Sequence, residues 1–79
     1  MKTKLEIAKQ IIKEHYHAAE CGIFDCRGWS ADPMDTLYDD GELKIDICYD
    51  WEYFEVFGLS NSDFTELARF YHALGENET

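Results

Sequence analysis

The residues with the clearest chemical potential are carboxylates in the middle of the chain. Residues 35–55 contain eight of them and a single lysine, Lys44; the acidic residues are Asp35, Asp39, Asp40, Glu42, Asp46, Asp50, Glu52 and Glu55. Aromatic residues stand among them: Tyr38, Tyr49, Trp51, Tyr53 and Phe54. Like charges that face each other on a sheet repel, at a cost of about 0.2–1 kcal/mol per opposed pair. An acidic surface of this density is therefore expected to serve contact with a positively charged partner.

Histidines and cysteines form a second group of candidate functional side chains, because both can ligate a metal ion. His15 and His17 point to opposite sides of a predicted helix, so the two cannot ligate one ion while that helix is intact. A site that combines His15 or Cys21 with Cys26 and Cys48 stays geometrically possible, because zinc takes Cys and His in tetrahedral sets. The alternative is a core histidine and small, apolar, reduced cysteines. We expect no metal and no cofactor.

Catalytic motifs are missing from the sequence. It contains no glycine-rich phosphate loop, no Gly-x-Ser-x-Gly and no His-Glu-x-x-His pattern. The carboxylates are too many, and too exposed in the predicted turns, to suggest two with distinct acid and base roles. We expect that the protein is not an enzyme.

Size and charge restrict the possible partners. The 79 residues are 46% hydrophobic and 15% aromatic, which predicts a single folded domain, 1–79. A net charge of −10 disfavours direct binding of nucleic acid or of acidic membranes and favours basic protein partners. The N-terminus lacks the apolar core of a signal peptide, and three cysteines suit a disulfide framework poorly, so a cytoplasmic location is expected.

The elements that must position the carboxylates follow from hydrophobic periodicity. A helical pattern covers residues 3–20 and another begins after Ser60, with Ser60 as N-cap and Gly75 as stop signal. Three β-like runs, 34–38, 43–49 and 53–57, are separated by turns at 39–41 and 50–52. Residues 22–33 are ambiguous, and either an edge strand or a binding loop is possible there.

These elements predict an α+β fold of order α-β-β-β-α. The three strands should form an antiparallel meander sheet with both helices packed on one face; the sequence leaves open which face, and one possibility is the face that carries Ile45 and Ile47. The opposite face would then hold Lys44, Asp46 and Asp50, with further carboxylates at the turns.

The plan of the chain resembles small acidic proteins of phages and mobile elements of the anti-CRISPR inhibitor type. The residues that carry the likeness are Asp39-Asp40-Gly41-Glu42, Asp46, Asp50, Glu52 and Glu55. Anti-CRISPR proteins share no common signature, so the likeness is one of size, charge and element order. The likeness implies a non-catalytic inhibitor that competes with DNA or RNA for the basic surface of an effector nuclease. The carboxylates of the inhibitor would take the place of the phosphates.

The candidate partner-binding residues are seven acidic and three aromatic side chains: Asp39, Asp40, Glu42, Asp46, Asp50, Glu52, Glu55, Tyr49, Trp51 and Tyr53. Their expected partner is a basic nucleic-acid-binding protein such as a CRISPR effector. Two other functions fit the same sequence. One is an antitoxin-like or immunity-like inhibitor of a basic toxin. The other is a structural or adaptor domain that self-associates through a sheet edge, so that both a monomer and a homodimer are open.

Overall fold

The computed structural model of the chain describes residues 2–25 and 32–77. Within these residues it contains two helices, a short 3₁₀ turn and four strands: α1 (Lys4–His15), the 3₁₀ turn (Tyr16–Ala18), β1 (Gly22–Asp25), β2 (Asp35–Asp39), β3 (Lys44–Cys48), β4 (Tyr53–Phe57) and α2 (Asn61–Asn77). Neither of these helices is long and apolar enough to cross a membrane.

Helix α1 begins with a reciprocal capping box. The Thr3 hydroxyl accepts a hydrogen bond from the Glu6 N–H at 3.2 Å, and the Glu6 carboxylate accepts one from the Thr3 N–H at 3.1 Å. The Thr3 N–H, and after it the Thr3 hydroxyl, which donates to the same carboxylate oxygen at 3.1 Å, lower the pKa of Glu6. The helix ends at His15, short of the predicted residue 20, because the chain tightens into the 3₁₀ turn Tyr16–Ala18.

The sheet has four strands in the order β1-β4-β3-β2, and β1 runs parallel to β4. The predicted three-stranded antiparallel meander is therefore wrong as a description of the whole sheet, although β2, β3 and β4 form that meander within it. The difference has a physical reason. Each antiparallel pair is joined by a short turn that can be read locally, whereas β1 pairs with a strand about thirty residues later.

Both helices cover one face of the sheet, as predicted, and that face carries Ile45 and Ile47. Four buried strand residues form the sheet side of the core, and buried residues of both helices complete it: Ile45, Ile47, Phe54, Val56, Ala8, Ile12, Leu67 and Tyr71. The rings of Phe54 and Tyr71 meet edge to face with centroids 6.0 Å apart. The Tyr71 hydroxyl donates to the Ala19 carbonyl at 2.7 Å, which joins α2 to the segment before β1.

Helix α2 begins as predicted, because the Ser60 hydroxyl accepts a hydrogen bond from the Asp63 N–H at 3.2 Å. The prediction that it stops at Gly75 is wrong, since the helix continues to Asn77. A Cβ at position 75 would lie 2.6 Å from the Tyr16 hydroxyl oxygen. Gly75 thus allows α2 to approach Tyr16 closely.

Gly58 ends β4, as predicted, and closes the sheet against the β2–β3 turn. Its φ of +96° lies in the region that favours glycine, and a Cβ there would stand 1.9 Å from the Glu42 carbonyl oxygen. Since that neighbour is backbone, a larger residue would have to displace the turn that carries Asp40 and Glu42.

Candidate partner-binding surface

The sheet face turned away from the helices is called here the open face. Strand register places nine described side chains on it, alternating with the core residues: Phe24, Thr36, Asp39, Lys44, Asp46, Cys48, Tyr53, Glu55 and Phe57. Two of the ten predicted binding residues, Asp46 and Glu55, lie at its centre. A third, Tyr53, lies toward the end where β4 begins, and a fourth, Asp39, lies opposite Lys44 at the other end.

Asp46 and Glu55 are direct cross-strand partners in β3 and β4. The sequence predicts exposed carboxylates here, but Asp46 is only 6% exposed and Glu55 only 4%. The Lys44 ammonium lies 3.5 Å from Asp46 Oδ2, while Asp46 Oδ1 is buried and has no hydrogen-bond partner. In this conformation both carboxylates add to the field of the surface and offer little area for direct contact.

The β2–β3 turn, residues 40–43, is held by aspartate side chains. Asp40 Oδ1 accepts the N–H groups of Leu43 at 2.8 Å and Glu42 at 2.9 Å, and its Oδ2 accepts the Tyr38 hydroxyl at 2.9 Å. The two backbone donors, followed by the tyrosine, lower the pKa of Asp40, and the same hydrogen bond raises the pKa of Tyr38. Asp39 accepts the Gly41 N–H at 3.0 Å. Both aspartates stay exposed, so they build the turn and carry its charge.

The β3–β4 turn, residues 49–52, presents the most exposed aromatic groups of this region. Tyr49 is 51% exposed and Trp51 is 65% exposed. Asp50, which lies between them in the sequence, and Glu52, which follows Trp51, are exposed as well. Glu52 has a φ of +57°, a left-handed conformation that is uncommon outside glycine and asparagine. The Glu52 carbonyl accepts the Cys21 N–H at 2.8 Å, which fastens the turn to the start of β1.

Tyr53 is held more firmly than a freely exposed anchor would be. Its hydroxyl donates to Asp32 Oδ2 at 2.8 Å, and its ring meets Phe24 edge to face at 5.4 Å. Phe24 is itself 54% exposed. Sequence reasoning missed Phe24 as a surface aromatic, because its place on the open face depends on the pairing of β1 with β4.

A notch lies where β2 begins and β3 ends. It is lined by Pro33, Asp35, Tyr49 and Asp50 and contains about 350 Å³ of space, including the solvent at its mouth. Tyr49 and Asp50 belong to the predicted set, whereas Pro33 and Asp35 do not. The register that pairs Asp35 with Ile47 brings the two segments together, and no local pattern signals that pairing.

The predicted residues thus divide among three places along the sheet. Asp39, Asp40 and Glu42 lie at one end of β3, the buried pair lies at its middle, and Tyr49–Tyr53 follows its other end. The five residues of β3 separate the two turns by roughly 15 Å. The expected acidic surface consists of two exposed turns around a buried acidic centre.

The described residues contain no group of three or more His, Cys, Asp and Glu side chains that could hold a metal ion. Cys21 is exposed and Cys48 is buried, both as free thiols. Cys26, the third cysteine of the possible zinc site, lies outside the described residues, as do residues 26–31 of the ambiguous segment 22–33, whose first part is the edge strand β1.

No protein-family model, curated protein or solved structure matches this chain. Its surface therefore has to be interpreted from charge, geometry and exposure.

Proposed function

We propose that this chain is a small, acidic, non-catalytic inhibitor of the anti-CRISPR kind, encoded by a phage or mobile element. In this proposal it occupies the basic nucleic-acid-binding surface of an effector nuclease, with its carboxylates in place of phosphates. The observation that carries the proposal is the pair of exposed acidic turns held at opposite ends of β3.

The distribution of charge supports this proposal. Residues 35–57 hold eight carboxylates and one lysine, and that lysine is already paired with Asp46. Residues 2–20, which include α1, hold four lysines and three glutamates and are nearly balanced. The negative field is therefore concentrated on the sheet and its turns. Such a field steers a basic partner toward that end of the molecule and speeds association.

The rigidity of the turns gives a second support. Asp40 is tied to two backbone N–H groups and to Tyr38, and the turn at Glu52 is tied to Cys21. Carboxylates on anchored turns lose less conformational freedom on binding than carboxylates on a flexible tail, so more of the electrostatic attraction remains as affinity.

Exposed aromatic side chains beside the charges give a third support. Tyr49 and Trp51 are each more than half exposed and stand next to Asp50. Tyrosine and tryptophan are enriched among the residues that dominate binding energy at protein interfaces. The β3–β4 turn thus combines charge with apolar contact area.

The test is capture of a partner from a lysate of bacteria that contain CRISPR effectors, with the purified protein immobilised. We expect a basic nucleic-acid enzyme that binds at low salt, is lost at high salt and is displaced by DNA, because it would exchange the same ionic contacts. The variant Glu42→Lys/Asp50→Lys should slow association with that partner by about tenfold or more.

A matched control separates the acidic turns from net charge alone. Glu14→Lys/Glu66→Lys makes the same change of charge at exposed positions on the two helices, which cover the other face of the sheet. If the two double variants weaken binding equally, or if the captured protein is indifferent to DNA and salt, the proposal is wrong.

Self-association is the second candidate, favoured by Phe24, which is 54% exposed on the edge strand β1. An exposed edge with an apolar side chain is a template for pairing with another chain. Sedimentation equilibrium distinguishes the two functions. A concentration-dependent dimer that Phe24→Asp abolishes and that salt leaves unchanged would favour the adaptor function.

A further inference from the structure

We propose that the notch lined by Pro33, Asp35, Tyr49 and Asp50 is a receptor for a single arginine side chain of the basic partner. This inference rests on the proposed function and specifies the chemistry of one contact within it. The notch lies beside the most exposed acidic and aromatic turn of the molecule, and it is open to solvent.

The lining of the notch matches a guanidinium group. An arginine can stack on the face of a tyrosine while its planar fork donates paired hydrogen bonds to a carboxylate. Tyr49 is half exposed, and two exposed aspartates, Asp35 and Asp50, line the same concavity. Lysine, a compact and strongly hydrated ammonium, satisfies only the charge in such a site.

The charges of the notch are not already satisfied. Within residues 2–25 and 32–77, neither Asp35 nor Asp50 forms an ion pair with a lysine, arginine or histidine. The nearest strand lysine in the sequence, Lys44, is engaged with Asp46 at 3.5 Å and lies over the Phe57 ring at 5.4 Å. An incoming cation would therefore meet two uncompensated carboxylates.

The walls of the notch are fixed before a ligand arrives. Pro33 follows Asp32, whose carboxylate accepts the Tyr53 hydroxyl at 2.8 Å, so this wall is tied to the start of β4. Asp35 is the first residue of β2 and pairs with Ile47 of β3. On the other side, the turn that carries Tyr49 and Asp50 is fastened through the Glu52 carbonyl to Cys21. Preorganised walls reduce the entropy lost on binding.

The notch is also small enough to select one side chain. Four described residues line it, and about 350 Å³ of space, including the solvent at its mouth, lies between them. The space suits the end of one side chain better than a nucleotide or a folded peptide. The inferred partner segment therefore projects one arginine from a basic surface.

The experiment is an NMR titration of the isotopically labelled full chain with blocked tripeptides Gly-Arg-Gly, Gly-Lys-Gly and Gly-citrulline-Gly. Citrulline has nearly the shape of arginine but no charge. We expect the arginine peptide to shift backbone signals at residues 34, 35, 49 and 50, the lysine peptide to bind more weakly, and the citrulline peptide to produce no saturable shift.

Two variants test the assignment of the walls. Tyr49→Leu and Asp50→Asn should each weaken binding of the arginine peptide by about two- to fivefold, since each removes one exposed interaction with the cation. Trp51→Leu is the matched control, an exposed aromatic of the same turn that does not line the notch, and it should leave the affinity unchanged. The dispersion of the NMR spectrum verifies that each variant is folded. If Tyr49→Leu unfolds, Asp50→Asn alone decides the test.

Several outcomes would overturn the inference: shifts that map away from the notch, equal binding of the citrulline or lysine peptide, or no effect of either wall variant. The titration with tripeptides needs no protein partner, so a negative result for the notch can be told apart from a negative result for the inhibitor proposal. If a DNA-competed partner is captured but the arginine peptide does not bind, only the notch assignment is wrong. If the peptide binds and no such partner exists, only the inhibitor proposal is wrong.

Discussion

At the scale of single residues, the most unusual feature is the cross-strand pair Asp46 and Glu55. Opposed like charges destabilise a sheet, and burial weakens the screening by solvent that would otherwise soften the repulsion. Of these two carboxylates, Asp46 forms an ion pair with Lys44, and Glu55 forms none with the described residues. The pair lies between the two acidic turns, so its repulsion is a cost of concentrating negative charge on this part of the molecule.

Removal of one charge from this pair should stabilise the fold. We expect Glu55→Gln to raise the free energy of unfolding by about 0.5–1 kcal/mol, because it removes the opposed charge and keeps the shape of the side chain. Urea unfolding monitored by circular dichroism measures the change. Glu14→Gln, at an exposed helical position, serves as control and should stay within about 0.5 kcal/mol of the parent. A destabilised Glu55→Gln would mean that the Glu55 carboxylate has a favourable role in the folded state.

At the scale of elements, Tyr71 links α2 to the segment that leads into β1. Its ring packs against Tyr16 and Phe54, and its hydroxyl donates to the Ala19 carbonyl at 2.7 Å. Burial, followed by the negative charge of the ionised Tyr16, raises the pKa of Tyr71 from 10.0 to about 12. The hydroxyl is therefore a neutral donor inside the core.

This raised pKa predicts a loss of stability in alkali. Because the folded-state pKa lies above the unfolded value, the contribution of Tyr71 is complete below pH 10.0 and is lost as the pH rises toward about 12. Urea unfolding across this range should show a decline that Tyr71→Phe reduces. At neutral pH the same substitution should cost about 1–2 kcal/mol, since it leaves the Ala19 carbonyl without its donor.

Tyr49→Phe is the control for this substitution, because it removes a hydroxyl from a half-exposed ring and should leave the stability unchanged. If Tyr71→Phe and the parent decline equally with pH, another group is responsible for the alkaline loss.

At the scale of the whole molecule, a net charge of −10 on 79 residues makes the folded chain repel itself. Confining the charges in a compact fold costs free energy that salt can recover. Favourable ion pairs oppose this effect, for example Lys9 with Glu66 at 3.1 Å, which links α1 to α2. Residues 35–55 contain eight carboxylates and one lysine, so most of the negative charge there is not compensated by such ion pairs.

Salt should therefore stabilise the protein. Between about 0.01 M and about 1 M salt the Debye length falls from about 30 Å to about 3 Å, so repulsion across the sheet is screened. We expect the midpoint of thermal unfolding to rise by about 4 °C or more, equivalent to about 1 kcal/mol. The variant Glu42→Gln/Asp50→Asn, which has two fewer charges, should show a smaller rise. A fall in the midpoint would indicate that ion pairs outweigh the repulsion.

Much of the fold follows from the sequence, because its signals are local. Helical periodicity, the Ser60 N-cap and the alternation of Ile45 and Ile47 depend on residues within a few positions of one another. The turn chemistry of Asp39 and Asp40 is similarly local, and both side chains form the expected hydrogen bonds to backbone N–H groups. The α+β class and the packing of both helices on one face of the sheet were therefore predictable, whereas the choice of face was not.

Tertiary structure alone decided three other features: the pairing of β1 beside β4, the burial of Asp46 and Glu55, and the notch that joins Pro33 and Asp35 to Tyr49 and Asp50. Each depends on segments that are distant in the chain, and on the register with which strands meet. Composition and periodicity report which side chains share a face. They do not report which carboxylates become buried, or where two segments leave a concavity, and these features determine how the acidic surface can bind.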